Sequence, residues 1–177
     1  EARDLLRIPV VTVTEAAVLT ALTLGRRYGV ITLDSASPAL VERNLRSYGL
    51  LDRAIDVAPI RSADLVEPVT PWFTDREYLF HRVIPRFEEV AAGLVADGAD
   101  VIVAACGNFS AFSVHGYARL RDLEVPVVDV LTAGTHMAGA MGRMHASLGL
   151  RTGKVGAYRG PSEATRRDRL VPFLEGR

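Results

Sequence analysis

Short runs of β-branched and aliphatic residues alternate with longer amphipathic stretches along this chain, the pattern of repeated βα units. IPVVTVT (8–14) predicts a buried strand, with Pro9 tolerated at its start. TEAAVLTALTLG (14–25) predicts a helix with Thr14 as its N-cap and Gly25 as its stop. YGVITLD (28–34) reads as the next strand and SPALVERNLRSYG (37–49) as the next helix, with Ser37 at the cap, Pro38 in the first turn and Gly49 at the end. AIDVAPI (54–60) is a weaker strand, and RSADLVEPVTPWFT (61–74), with two prolines and no clear period, reads as a loop.

A long helix is expected over 75–98, kinked or split by Pro85. DVIVAAC (100–106) is the strongest strand, apolar almost throughout, as expected of one covered on both faces. A helix interrupted by Gly116 (109–124), a strand VPVVDVL (125–131) and a small-residue helix (132–149) follow. The segment 152–161 reads as a loop or edge segment, and 162–175 as a final helix. The pattern places the chain in the α/β class with a mainly parallel sheet.

The bulk numbers narrow the function classes. Over 177 residues, 49% hydrophobic and 24% charged is globular composition. Lys plus Arg and Asp plus Glu are both 21, so neither nucleic acid nor an anionic membrane has a basic excess to hold it. One cysteine excludes an internal disulfide, and no apolar stretch approaches the ~20 residues of a membrane span, so the expectation is a cytoplasmic protein. The chain opens on EARDLLR, which reads as the end of a helix already in progress.

In parallel α/β sheets ligands bind beyond the carboxyl ends of the strands. That rule singles out Cys106, which closes the strongest strand and is followed by Gly107, Asn108, Phe109 and Ser110. A thiol there faces the N–H groups of the next helix, Gly107 lets backbone approach a ligand, and Asn108 and Ser110 can hydrogen-bond an oxygen. Position alone leaves two readings open, an inert buried cysteine or a reactive one. Thr14, Glu15, Thr32 and Asp34 fall at other strand ends, where turn and cap roles come first. Asp129, inside an apolar run, needs a partner, and a structural hydrogen bond to a helix start is expected. His115 is poorly placed to pair with Cys106; His136 is better placed, though a polar residue at a helix start explains it. The four histidines show no metal-ligand spacing, no glycine-rich nucleotide motif or serine elbow is present, and the one lysine, Lys154, is no pointer to pyridoxal phosphate. No cofactor or metal is expected.

Several segments together resemble one family. IPVVTVTEAAVLTALTLGRRYGVITLD is similar to the Asp/Glu/hydantoin racemase stretch Pro-Val-Val-Gly-Ile-x-Glu-Ala-Ala with its following Gly-Arg-Arg-Phe-Gly-Val strand. GADVIVAACGN resembles that family's second catalytic-cysteine strand, VPVVDVLTAGTHMAGA the strand and helix after it, and LGLRTGKVGAYRGP a C-terminal segment of the hydantoin racemase branch. The resemblance implies two flavodoxin-like lobes of parallel α/β fold facing an active-site cleft. It also implies cofactor-free racemisation, in which one cysteine removes the α-proton and a second returns one on the opposite face.

Carried over, Cys106 matches the second cysteine, Gly107 and Asn108 the positions that hold substrate oxygens, and Thr14 and Glu15 the Glu-Ala-Ala segment at the cleft. Ser110 and Thr32 complete the expected binding set. The family's first cysteine precedes the helix in which this chain begins, so one lobe (10–125) and a C-terminal segment (126–177) returning to an incomplete N-terminal lobe are expected. The substrate implied is a small molecule with a carboxylate or hydantoin ring, and the implied assembly is a homo-oligomer. CGNFS departs from the family's usual Cys-Ala-Gly or Cys-Thr-His. A single-cysteine enzyme resembling arylmalonate decarboxylase or maleate isomerase, and a non-catalytic α/β ligand-binding domain, stand as alternatives.

Overall fold

Alternation within the strands decides the layers. In a computed structural model of the chain, which describes residues 2–160, β1 (Tyr28–Thr32), β2 (Ile60–Ser62), β3 (Val101–Ala104) and β4 (Val127–Asp129) form a fully parallel sheet in the order β2-β1-β3-β4. Successive side chains point to opposite faces. Tyr28, Val30, Val101 and Val103 therefore pack with Ala17 and Val18 of α2 (Val13–Leu24) and Val41 and Leu45 of α3 (Ser37–Ser47). Ile31, Ile102 and Ala104 pack on the other side with Phe87 and Leu94 of α6 (Ile84–Ala96) and Phe112 of α7 (Ser110–Val114). Phe87 anchors that side, its ring 4.9 Å from Phe112 and 5.3 Å from Phe109. The result is the expected α/β fold, a parallel sheet between two helical layers.

Several local expectations are overturned, each for a visible reason. Residues 8–14 are not a strand. The carbonyl of Val10 accepts from the Arg3 guanidinium at 2.9 and 3.1 Å, and that of Ile8 from the Thr152 hydroxyl at 2.7 Å, so side chains do the work of a ladder. The expected cap at Thr14 moves two residues earlier, to Thr12, whose carbonyl accepts from Ala16 N–H at 3.0 Å as α2 begins at Val13. The strand expected over 54–60 is displaced to β2. Ala58 has a left-handed φ of 40° and Pro59 carries no N–H, so the chain loops out between an isolated bridge at Ala54 and the ladder.

The expected loop 61–74 contains the end of β2 and a short helix, α4 (Thr70–Thr74), that buries Trp72. The long helix 75–98 is divided as Pro85 predicts. A turn of α5 (Arg76–Tyr78) runs into a π-helical turn Leu79–Val83, and Pro85 sits in the first turn of α6, where its missing N–H costs nothing. The helix expected over 109–124 shrinks to α7, because Gly116 takes a left-handed φ of 74° and the chain then turns back. The strand expected to reach residue 131 ends at Asp129, where α8 (Val130–Leu148) begins.

Packing divides the chain into two units, Thr12–His136 and Glu1–Val11 with Met137–Arg177. The first holds the sheet. In the second, α1 (Ala2–Leu5) is closed at its carboxyl end by Lys154, whose ammonium donates to the carbonyl of Asp4 at 2.9 Å and to that of Arg3. A single 3₁₀ turn, Gly156–Tyr158, lies in the segment expected to be loop, and the helix expected over 162–175 lies outside the described residues. Among the described residues no helix is long and apolar enough to cross a membrane.

Candidate functional site

Strand order creates a crevice. The chain leaves β1 for β2 on one side of the sheet and leaves β3 for β4 on the other, so the loops at the carboxyl ends of the adjacent β1 and β3 diverge. Cys106 stands at that end of β3. Backbone pairing continues to Ala105, whose N–H donates to Ile31 carbonyl at 2.8 Å; then the chain leaves the sheet with Cys106 still extended at φ −141° and ψ 143°. A 3₁₀ turn, Gly107–Phe109, follows, closed by Phe109 N–H on the Cys106 carbonyl at 3.1 Å. The N–H groups that open such a turn have no acceptor within it. Phe109 plunges into the core against Trp72 and Phe87 and so fixes the turn from below.

Cys106, Gly107, Asn108 and Ser110 are all half-buried. Among the described residues, the side chains of Cys106, Asn108, Ser110 and Thr14 have no hydrogen-bond partner. The other polar groups at this edge are engaged. The buried Thr32 hydroxyl donates to the Asp34 carbonyl at 3.1 Å and lies 3.4 Å from that of Arg61. Asp34 accepts from the N–H groups of Ala36 and Ser37 and from the Ser37 hydroxyl, in the turn that leads into α3. Asp129 is buried and meets the structural expectation: one carboxylate oxygen accepts from Thr132 N–H at 2.8 Å, starting α8, and the other from the Ser113 hydroxyl. Glu15 accepts from the Thr12 hydroxyl at 3.2 Å across the first turn of α2.

The first turn of α8 links the Cys106 loop to the start of α2. A Cβ built on Gly107 would lie 3.4 Å from Leu131 Cδ1, and one on Gly134 would lie 2.9 Å from Val13 Cγ1. Leu131 and Gly134 are one turn apart on the same face of α8. Thr14 and Glu15, which follow Val13 at the start of α2, thus lie at the same edge of the sheet as Leu131 and Cys106. The two apolar residues, Val13 and Leu131, were not picked out by sequence reasoning, which looked for polar groups; their signal is a large side chain in the first turn of a helix that starts at the strand ends.

His136 is exposed on α8, and His115 lies half-buried just past α7, its Nε2 without a partner among the described residues. No cluster of three or more His, Cys, Asp or Glu able to hold a metal occurs among the described residues. A cleft of about 250 Å³ in the other unit, lined by Arg3, Val10, Met141, Arg151 and Tyr158, contains none of these groups.

Residues 1–138 match the family described as Asp/Glu/Hydantoin racemase. A hydantoin racemase from Rhizobium meliloti is 30% identical over 161 residues, which is 90% of this chain and 60% of that protein. Two solved structures are similar as well. Allantoin racemase from Pseudomonas fluorescens is 29% identical with a TM-score of 0.65, over 90% of this chain and 62% of that one. Allantoin racemase from Klebsiella pneumoniae is 26% identical with a TM-score of 0.67, over 92% of this chain and 60% of that one. The chain spans about 60% of the length of these relatives.

Proposed function

Because this chain belongs to the Asp/Glu/hydantoin racemase family, we propose that Cys106 moves the proton on the carbon α to a carbonyl in a hydantoin-like ring, the step that racemises such a substrate. The observation that carries this reading is the position of a half-buried thiol, without a hydrogen-bond partner among the described residues, at the carboxyl end of the central β3, where strand order reverses.

The thiolate sulfur takes the ring proton, and the C–H electron pair moves into the adjacent carbonyl to leave an enolate oxygen. The N–H groups of Gly107 and Asn108 stabilise that oxygen, with the Asn108 side chain in reach of a ring amide. Return of a proton on the opposite face inverts the centre. The 177 residues hold one cysteine, so a second thiol for that face is not among them. No cofactor is needed for any of these steps.

The charge of the edge favours a neutral ring over an acidic amino acid. The segments 33–36, 63–69, 105–110 and 130–136 that leave the strands contain no Arg or Lys, while Asp34, Asp64 and Glu67 lie on them. Arg86 reaches the Ala63 carbonyl at 3.0 Å from α6 but is paired with Glu89 at 2.7 Å. A substrate carboxylate would find little to neutralise it here, whereas ring amides and carbonyls need only hydrogen bonds.

The test is deuterium uptake at C5 of 5-benzylhydantoin in D2O, followed by proton NMR and corrected for buffer exchange. Cys106→Ser is expected to lower the protein-dependent rate at least a hundredfold. Equal rates in the two proteins would remove Cys106 from the reaction. A second reading, a single-thiol enzyme of the arylmalonate decarboxylase type, would need only the cysteine these residues hold; it predicts carbon dioxide release from phenylmalonate and no exchange on the hydantoin.

A further inference from the structure

We infer that Leu131 is the specificity-determining residue of this site and selects substrates whose reacting carbon carries an apolar substituent; the inference rests on the hydantoin reading of Cys106. Leu131 is the second residue of α8 and is 41% exposed, although its neighbours Val130, Ala133 and Gly134 are buried. Its side chain lies over Gly107, the residue after the thiol, close enough that a Cβ there would touch both Cδ1 at 3.4 Å and Cγ at 3.7 Å. The absence of a side chain at residue 107 is what lets a leucine lean over the reactive loop.

Leu131 is also held in place. Asp129 fixes the start of α8 through Thr132 N–H and is itself held by the Ser113 hydroxyl. Gly134 sets the depth of the helix against Val13 of α2, one turn from Leu131 and itself 40% exposed. The Thr32 hydroxyl and the Asp34 and Asp129 carboxylates, the polar groups nearest by sequence to the other strand ends, are spent on backbone and neighbouring hydroxyls. A group attached to the carbon that faces Cys106 therefore meets leucine rather than a charge. Alkyl or aryl substituents gain by covering that surface, and an anionic one loses solvent without gaining a partner.

The test is protection of Cys106 from iodoacetamide by 5-isobutylhydantoin and by hydantoin-5-acetic acid, in the wild-type chain and in Leu131→Ala and Leu131→Arg. Wild type should be half-protected by the isobutyl compound at a concentration at least about tenfold lower than by the acid. Leu131→Ala should erase most of that preference, and Leu131→Arg should reverse it by giving the acid a cation. A wild-type protein that protects equally with both compounds, or a preference unchanged in both variants, overturns the inference while leaving the hydantoin reading intact. Protection by neither compound overturns the hydantoin reading, and the inference with it.

Discussion

Gly134 meets Val13 where α8 crosses the start of α2, and a Cβ on it would stand 2.9 Å from Val13 Cγ1 and 3.3 Å from Val13 Cα. Helix propensity alone favours Ala over Gly by about 1 kcal/mol. The backbone atom of Val13 cannot swing aside as a side-chain tip can, so overpacking wins. Gly134→Ala is expected to lower stability by about 1–2 kcal/mol, seen as a lower urea midpoint at unchanged slope; a higher midpoint would show that the helices part freely. A second glycine contact, that of Gly107 with Leu131, explains why Cys106 could be singled out from the sequence and Leu131 could not. A cysteine ending an apolar run before Gly-Asn announces itself by chemistry. A leucine in a small-residue helix becomes notable only when Gly107 is found beneath it.

At the scale of elements, Glu88 shows how the chain after α7 is held without being helical. Its carboxylate accepts from the Tyr117 hydroxyl at 3.0 Å, from Arg121 N–H at 3.0 Å and from Arg121 Nε at 2.8 Å. Burial works to raise the Glu88 carboxyl, yet the hydrogen bonds from the Arg121 side chain and backbone and from Tyr117 hold it below the usual carboxylate range. Burial, with Glu88 alongside, pushes the Tyr117 phenol well above its ordinary value, so it stays a donor. A carboxylate depressed in the folded state stabilises above its unfolded pKa, near ~4.3, and that contribution is lost as pH falls through the lower folded value.

Glu88→Gln should therefore cost about 1–2 kcal/mol at pH 7, and the gap from wild type should narrow as pH falls below the unfolded value of about 4.3. Urea unfolding across pH 3–8 measures it, and a gap independent of pH would assign the loss to shape rather than charge. The helix expected over 109–124 stops at the left-handed Gly116, and Glu88 then keeps the chain beyond it from resuming. Local propensity favoured it, but a carboxylate on α6 captures the backbone and side chain of Arg121 in a turn that only tertiary packing supplies.

At the scale of the molecule, β1 and β3 are flanked by strands on both sides, while β2 and β4 lie at the sheet edges. Opening the centre requires disrupting both helical layers, whereas an edge can fray alone. Amide hydrogen exchange should be slowest at Val30, Ile31, Ile102 and Val103 and faster at Arg61 and Val128. Equal protection across the sheet would mean that the strands open only together. Cys106 extends from the central β3, whereas Leu131 stands on a helix whose start is held by one buried carboxylate.

The sequence by itself determined the α/β class, the central strands β1 and β3, the helices α2, α3 and α8 to within about a turn, the break at Pro85 and the prominence of Cys106. Those features depend on period, on glycine and proline stereochemistry and on apolar runs, all local and therefore readable. Tertiary structure alone decided the rest. Residues 8–14 lost their strand because Arg3 and Thr152 took their carbonyls, Thr32 and Asp129 were bound inward by neighbours, and Leu131 was laid over Gly107. Each of those outcomes turns on partners met only after folding, where a hydrogen bond or a missing Cβ outweighs the preference of the segment itself.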